Sequence, residues 1–161
     1  MQNIVNLLDD LNLANVAYVL VGGQAMRLHG SQRSTTDVDL VLEMSQENLD
    51  KFIEIAKKYK LKPIIPVAID ALKDSEKIQE WYETKGMLSF ALREEMIGGL
   101  VIDVLVRSEI SYEKLNERAV SGNLNQRTIR FASLEDLLVM KKAANRDKDQ
   151  FDIMFLEAAL R

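Results

Sequence analysis

Two short apolar runs, residues 16–21 and 37–43, set the strongest constraint on the fold of this chain. Both have the composition and the length of buried strands. The pair Gly22-Gly23 follows the first run, and residues 24–29 are apolar enough to form a short helix that ends at Gly30. The sequence therefore predicts a strand, a glycine turn, a short helix and a second strand in close succession.

The glycine pair is compatible with two roles. Glycine permits close approach to the backbone, and the free N–H groups that begin a helix can bind a phosphate. Glycines also form plain turns, and the surrounding residues match neither a P-loop nor a dinucleotide-binding fingerprint. The position of the pair, one loop ahead of the carboxylates Asp37 and Asp39, favours the phosphate-binding role.

The remaining apolar periodicity predicts one α/β (α+β) domain over residues 1–161, with a mixed sheet flanked by helices. Ile4, Leu7, Leu8 and Leu11 indicate an amphipathic N-terminal helix. Further helices are predicted over residues 45–60 and 74–85, from Ser133 onwards, and after a capping box formed by Asp147 and Gln150. Further strands are predicted at residues 88–92 and 100–106, as an antiparallel hairpin, and at 128–131, as a last edge strand.

Composition excludes several classes of protein. The 161 residues contain no cysteine, which rules out a disulfide scaffold, a cysteine-based zinc site and a thiol nucleophile. The acidic N-terminal segment does not resemble a signal peptide, and no apolar run approaches the roughly 18 residues that span a bilayer. We therefore expect a cytoplasmic protein without a membrane partner. A net charge of −4 argues against broad electrostatic binding of nucleic acid.

Asp37 and Asp39 are the first candidate site residues. Side chains two apart on a strand point to the same face, with Cα atoms roughly 6.5 Å apart. Two carboxylates at that spacing can converge on one Mg²⁺ ion. The alternative is a solvated strand face, since a D-x-D pattern alone is common.

Asp103 favours the first interpretation. It is the one charged residue within the apolar run 100–106, and an unpaired carboxylate among such neighbours is costly. A buried salt bridge or a position at a strand end would also explain it. Three acidic residues on two strands could instead hold two metal ions for phosphoryl or nucleotidyl transfer.

Basic residues offer candidate phosphate contacts. Arg33 could meet a polyphosphate or pair with a carboxylate of the cluster, and a solvated loop arginine is the alternative. Six basic and three acidic residues lie between residues 127 and 148, which gives that segment a local charge of +3. It could bind a triphosphate or an RNA backbone, although such a segment is often just a solvated helix face. His29 is expected to pack or to hydrogen-bond.

Together these residues resemble the polymerase-β-type nucleotidyltransferase superfamily, and in particular small nucleotidyltransferase-like proteins related to AbiEii toxins. The stretch VGGQAMRLHGSQRSTTDVDL is similar to their V-G-G-x-A-x-x-x-H-G-x-x-R-x-T-x-D-h-D-h, where h is apolar. The stretch DLLVMKKAANRDKDQFDI resembles their L-x-x-x-K-x-x-A-x-R-x-K-D-x-x-D. The resemblance covers most of the chain.

The resemblance implies specific roles. It implies an NTP bound with Mg²⁺ at the glycine turn, Asp37 and Asp39 as ligands of two metal ions, and Asp103 as a ligand of the second that favours deprotonation of an acceptor hydroxyl. Gly22 and Gly23 would approach the triphosphate, and Lys141 could contact phosphates. Arg146, Lys148, Asp149 and Asp152 also match the C-terminal pattern, with a less defined role.

One departure from the superfamily bears on activity. The wider superfamily usually has Gly-Ser where this chain has Gly22-Gly23, so a hydroxyl contact to the phosphates is missing. The leading hypothesis is an Mg²⁺-dependent nucleotidyltransferase that transfers NMP from an NTP to a hydroxyl on RNA, protein or a small molecule. The alternative is a non-catalytic module that binds a nucleotide or a partner, for example a toxin–antitoxin component with a cognate antitoxin.

Overall fold

A seven-stranded mixed β-sheet organises the protein in the computed structural model, which describes residues 2–161. The strands are β1 (Tyr18–Val21), β2 (Asp37–Leu42), β3 (Leu61–Pro63), β4 (Ser89–Glu94), β5 (Val101–Leu105), β6 (Val120–Leu124) and β7 (Arg127–Phe131). Their order across the sheet is β3-β4-β5-β2-β1-β7-β6. Strands β2 and β5 run parallel, as do β1 and β7, and the other neighbouring pairs are antiparallel. The predicted fold class, a mixed sheet with flanking helices, is confirmed.

Seven α-helices accompany the sheet in the described part of the chain. They are α1 (Gln2–Leu13), α2 (Gly22–Leu28), α3 (Gln46–Lys58), α4 (Ser75–Lys85), α5 (Tyr112–Arg118), α6 (Leu134–Ala144) and α7 (Gln150–Ala159). Short 3₁₀ helices at Ile69–Lys73 and Asp147–Asp149 precede α4 and α7. None of the helices within residues 2–161 is both long and apolar enough to cross a membrane.

Local sequence accounts for most of these boundaries. The apolar face of α1 is buried as its spacing predicts, and Ser45, Asp74 and Ser133 accept backbone N–H hydrogen bonds at the starts of α3, α4 and α6. Buried Asn48 ties α3 to the sheet. It exchanges hydrogen bonds with the backbone of Ala17 at 2.7 and 2.9 Å and donates to the Glu43 carbonyl at 2.7 Å. These bonds fix the end of the central strands that lies opposite the carboxylates.

The C-terminal half differs from the sequence prediction in three places. Strand β7 is not an edge strand, because it lies between β1 and β6 and the edge is β6. Helix α5, capped by Ser111, was not predicted. The predicted capping box of Asp147 and Gln150 is wrong, since Asp149 accepts the hydrogen bond from the backbone N–H of Arg146 at 3.2 Å.

Candidate functional site

Three neighbouring strands bring a glycine turn and the predicted carboxylates together. Val21, the last residue of β1, lies opposite Asp39 of β2, and Asp39 lies opposite Asp103 of β5. Gly22 follows Val21 directly and begins α2. Asp37 lies on the same face of β2 as Asp39, two residues earlier. We call Asp37, Asp39 and Asp103 the acidic cluster.

Gly22 lies directly against the side chain of Asp39. Its φ is +65°, in the left-handed region that favours glycine. A Cβ atom at this position would lie 2.1 Å from Oδ2 of Asp39. The glycine therefore permits direct approach of the backbone of the turn to the Asp39 carboxylate.

The acidic cluster is electrostatically unfavourable when no cation is bound. Burial raises the pKa of Asp39 to about 6, with further increases from the negative charges of Asp103 and Asp37 and from a hydrogen bond with Asp103. Burial and the charge of Asp37 also raise the pKa of Asp103. The positive charge of Lys141 lowers the pKa of Asp39, and that of Lys148 lowers the pKa of Asp103, but the effects that raise both pKa values are larger. Such a site favours protons or cations.

The donor chemistry fits a divalent cation, although no closed metal cage is preformed. Within residues 2–161, no three or more His, Cys, Asp or Glu side chains are grouped so as to hold a metal ion. The cluster offers hard carboxylate oxygens from one face of two adjacent strands, which suits Mg²⁺. Mg²⁺ commonly uses one or two carboxylates and completes its shell with substrate phosphates and water.

A second group of charges links the C-terminal helical region to the loop before β2. Lys141 of α6 is nearly buried and donates to Asp149 at 3.2 Å, with its Nζ 3.0 Å from Oδ2 of Asp152. Arg146 donates to Asp149 from Nε at 2.8 Å, and Arg33 donates to Asp152 from Nη1 at 2.6 Å. We call these five residues the C-terminal ion-pair cluster. Burial would raise the pKa of Asp149, but bonds from Arg146 and the charge of Lys141 lower it to about 2.

This arrangement answers part of what the sequence left open. Arg33 pairs with Asp152 and with no member of the acidic cluster. Lys141 is held by two carboxylates while its charge also acts on Asp39. His29 packs edge-on against Phe131 and its Nε2 lies 2.8 Å from the carbonyl oxygen of Ala132, so the predicted packing and hydrogen-bonding role is confirmed.

The basic segment does not form one continuous anion-binding surface. Arg127 pairs with Asp9 at 3.2 Å, and Lys142 pairs with Glu157 at 3.1 Å. Arg130 donates to the carbonyl of Asn116 at 2.8 Å. Three cations of this segment interact electrostatically with the acidic cluster: Lys141 and Arg146 with Asp39, and Lys148 with Asp103.

Two cavities lie away from the acidic cluster. One of about 890 Å³ borders β3, and its lining includes Lys57, Lys60 and Lys62. Another of about 650 Å³ borders the C-terminal ends of β2 and β5 and includes Arg107, which stacks over the Tyr82 ring at 3.9 Å. Neither is lined by Asp37, Asp39 or Asp103.

The solved structures of similar fold include nucleotidyltransferases. The chain superposes on the lincosamide antibiotic adenylyltransferase LnuA, bound to lincomycin, with a TM-score of 0.62 at 20% identity, covering 98% of this chain and 96% of that one. It superposes on ANT(2")-Ia in complex with adenylyl-2"-tobramycin with a TM-score of 0.61 at 15% identity, covering 96% of this chain and 85% of that one.

A third solved structure has a similar fold, and most of the chain matches a known family. An antigenic nucleotidyltransferase-like protein from Paracoccidioides brasiliensis gives a TM-score of 0.55 at 19% identity, covering 98% of this chain and 73% of that one. At such identities these likenesses establish the fold. No curated protein matches the sequence. Residues 6–158 match the family described as nucleotidyl transferase AbiEii toxin, type IV TA system. The predicted resemblance is confirmed, and the chain belongs to the AbiEii nucleotidyl transferase family.

Proposed function

We propose that this protein is an Mg²⁺-dependent nucleotidyltransferase that transfers NMP from an NTP to a hydroxyl acceptor. The observation that carries the proposal is the register of β2 and β5, which sets Asp39 opposite Asp103 while Gly22 lies against Asp39. Asp39 and Asp103 are carboxylates with raised pKa values beside the glycine turn, and such a pair is suited to a cation and a polyphosphate together.

The residues would divide the chemistry between them. The acceptor hydroxyl oxygen would form a bond to the α-phosphorus while the bond from that phosphorus to the pyrophosphate oxygen breaks. Pyrophosphate leaves, and the hydroxyl proton passes to Asp103 or to water. Asp37, Asp39 and Asp103 would hold two Mg²⁺ ions, which supply charge neutralisation at the reacting oxygens. The backbone at Gly22-Gly23 would position the triphosphate.

Arg33 and Lys141 would contribute positive charge on the phosphate side. Lys141 already acts on Asp39 electrostatically, and Arg33 is tied to the same carboxylate, Asp152, that holds Lys141. The shared carboxylate would orient both cations while leaving their remaining N–H donors available for phosphate oxygens. In this proposal the C-terminal ion-pair cluster supports the site rather than reacting in it.

The biological context we propose follows the family. The AbiEii description concerns a toxin of a type IV toxin–antitoxin system. We infer that this chain acts as the toxin component, that a cognate antitoxin is its partner, and that the acceptor is a cellular RNA or protein. Two structural neighbours, LnuA and ANT(2")-Ia, were solved with lincomycin and with adenylyl-2"-tobramycin, so a small-molecule hydroxyl is the competing proposal for the acceptor.

The test is label transfer from two forms of the same nucleotide. Wild-type protein, Mg²⁺ and a mixed RNA and protein extract are incubated with NTPs labelled at the α- or the γ-phosphate. We expect transfer of the α-label alone, and a loss of at least about a hundredfold in Asp39→Asn. Asp147→Asn changes an exposed aspartate outside the acidic cluster, serves as the control and should match the wild type.

Three other results would change the conclusion. Transfer of the γ-label would indicate phosphoryl transfer instead. NTP binding that Asp39→Asn weakens, with no product under any condition, would favour the non-catalytic binding module. Absence of both transfer and NTP binding would refute the proposed function.

A further inference from the structure

Thr35 fills the space beside the second glycine of the turn. If Gly23 carried a Cβ atom, that atom would lie 2.9 Å from Cβ, Cγ2 and Oγ1 of Thr35. Gly23, unlike Gly22, is not in the left-handed region, so its backbone conformation would accept a side chain. Position 23 is therefore restricted to glycine by the side chain of Thr35 and not by its own φ.

The loop that carries Thr35 is held in place from two sides. Gln24 of α2 donates from Nε2 to the backbone carbonyl of Thr35 at 3.4 Å. Two residues earlier, Arg33 forms its 2.6 Å ion pair with Asp152 of α7. Both contacts use atoms other than the Thr35 hydroxyl. They keep this side chain over the glycine turn without engaging its hydrogen-bonding group.

The Thr35 hydroxyl is free to meet a ligand. The side chain is half-buried, and its hydroxyl makes no hydrogen bond with another described residue. The neighbouring hydroxyl of Thr36 instead donates to the Asp37 carboxylate at 3.4 Å. A phosphate beside the acidic cluster needs hydrogen-bond donors, and a threonine hydroxyl supplies one without adding charge.

We propose that Thr35 donates this hydrogen bond to the nucleotide triphosphate, in the place of the serine hydroxyl that is missing at position 23. The volume that a serine side chain would enter is filled from the opposite chain segment, by a residue that carries the same functional group. This inference rests on the proposed function, since it assigns a phosphate-binding residue to the same site.

Nucleotide binding by matched variants tests the proposal. Calorimetry measures the Kd of a non-hydrolysable ATP analogue with Mg²⁺. Thr35→Val keeps the shape but removes the hydroxyl, and we expect binding about tenfold weaker. Thr35→Ser keeps the hydroxyl and should bind within about threefold of the wild type by the same relation. Ser34→Ala removes the adjacent exposed hydroxyl and should leave the Kd unchanged.

A relocated hydroxyl provides the sharpest version of the test. The double variant Gly23→Ser with Thr35→Ala moves the hydroxyl to position 23 and removes the side chain that excludes it, so it should bind more tightly than Thr35→Val. Thermal unfolding of each variant reports its folding. Equal affinity of Thr35→Val and wild type would refute this inference alone. Failure of the wild type to bind the analogue would refute the proposed function as well.

Discussion

The acidic cluster and the C-terminal ion-pair cluster both hold carboxylates away from bulk water, yet they are built in opposite ways. Asp149 and Asp152 are more deeply buried than Asp39 and Asp103. Each of the two C-terminal carboxylates is paired with Lys141 and with an arginine. The pKa of Asp149 is therefore low, whereas the pKa of Asp39 is raised to about 6.

From this difference we propose that the carboxylates of the C-terminal ion-pair cluster stabilise the fold, whereas those of the acidic cluster bind a cation. Buried charges that are matched within the protein contribute to the fold, and removal of one partner leaves the other unpaired. Carboxylates that repel one another cost stability, and such sites usually bind something that relieves the repulsion. Two substitutions with opposite expected effects on stability test the distinction.

Asp149→Asn should cause the larger change in stability. It removes the charge that Arg146 and Lys141 face, and we expect a loss of about 3 kcal/mol in the free energy of unfolding. For a chain of this size that corresponds to a decrease in Tm of about 6–12 °C. Because the folded pKa of Asp149 is below its unfolded value, its contribution is complete at neutral pH and is lost as the pH falls through about 2.

The control for this experiment lies in the same 3₁₀ turn. Asp147 is exposed, so Asp147→Asn should change Tm by no more than about 1–2 °C. The difference in Tm between wild type and Asp149→Asn should stay on the order of the decrease given above from pH 5 to 8. It should become smaller below about pH 4. Equal Tm values for the two variants at pH 7 would show that the C-terminal ion pairs do not stabilise the fold.

Asp39→Asn should have a smaller effect of the opposite sign in the presence of EDTA. The folded pKa of Asp39 lies above its unfolded value, so the folded state loses stability relative to the unfolded state as the pH rises from about 4 through 6. Asparagine does not ionise. We therefore expect Asp39→Asn to be more stable than wild type by roughly 2 kcal/mol at pH 8, and to differ little near pH 4.

Magnesium extends this comparison. Millimolar Mg²⁺ at pH 8 should raise the Tm of the wild type and should have less effect on Asp39→Asn, because the variant lacks one carboxylate ligand. Differential scanning calorimetry with and without Mg²⁺ measures both quantities. If Asp39→Asn is less stable than wild type at pH 8 in EDTA, the acidic cluster is not a site of electrostatic strain.

The carboxylates of both clusters could be found in the sequence, but their pairing could not. Spacing on a strand places Asp37 and Asp39 on one face, and an apolar setting marks Asp103. That Asp39 lies opposite Asp103 depends on the parallel pairing of two strands about sixty residues apart. Arg33 and Asp152 are farther apart still, separated by 119 positions along the chain. Such contacts depend on the whole sheet and not on any local pattern.

The outer hairpin shows where local signals are misleading. Strand β6 contains Gly122 and mostly exposed or half-buried residues, so its sequence lacks a strand pattern. A Cβ at Gly122 would lie 2.8 Å from the ring of Phe131 in β7, which explains the glycine. Because β6 was missed, β7 was predicted at the edge. Thr35 matches the threonine of the family pattern, but only the folded loop shows that it lies against Gly23.

A structure of the protein with Mg²⁺ and a non-hydrolysable ATP analogue tests the central claim most directly. We predict metal ions bound by Asp37, Asp39 and Asp103, with the triphosphate along Gly22-Gly23. A nucleotide bound elsewhere, for example in the cavity beside β3, or a metal ion that contacts neither Asp39 nor Asp103, would contradict the assignment of the acidic cluster as the catalytic site.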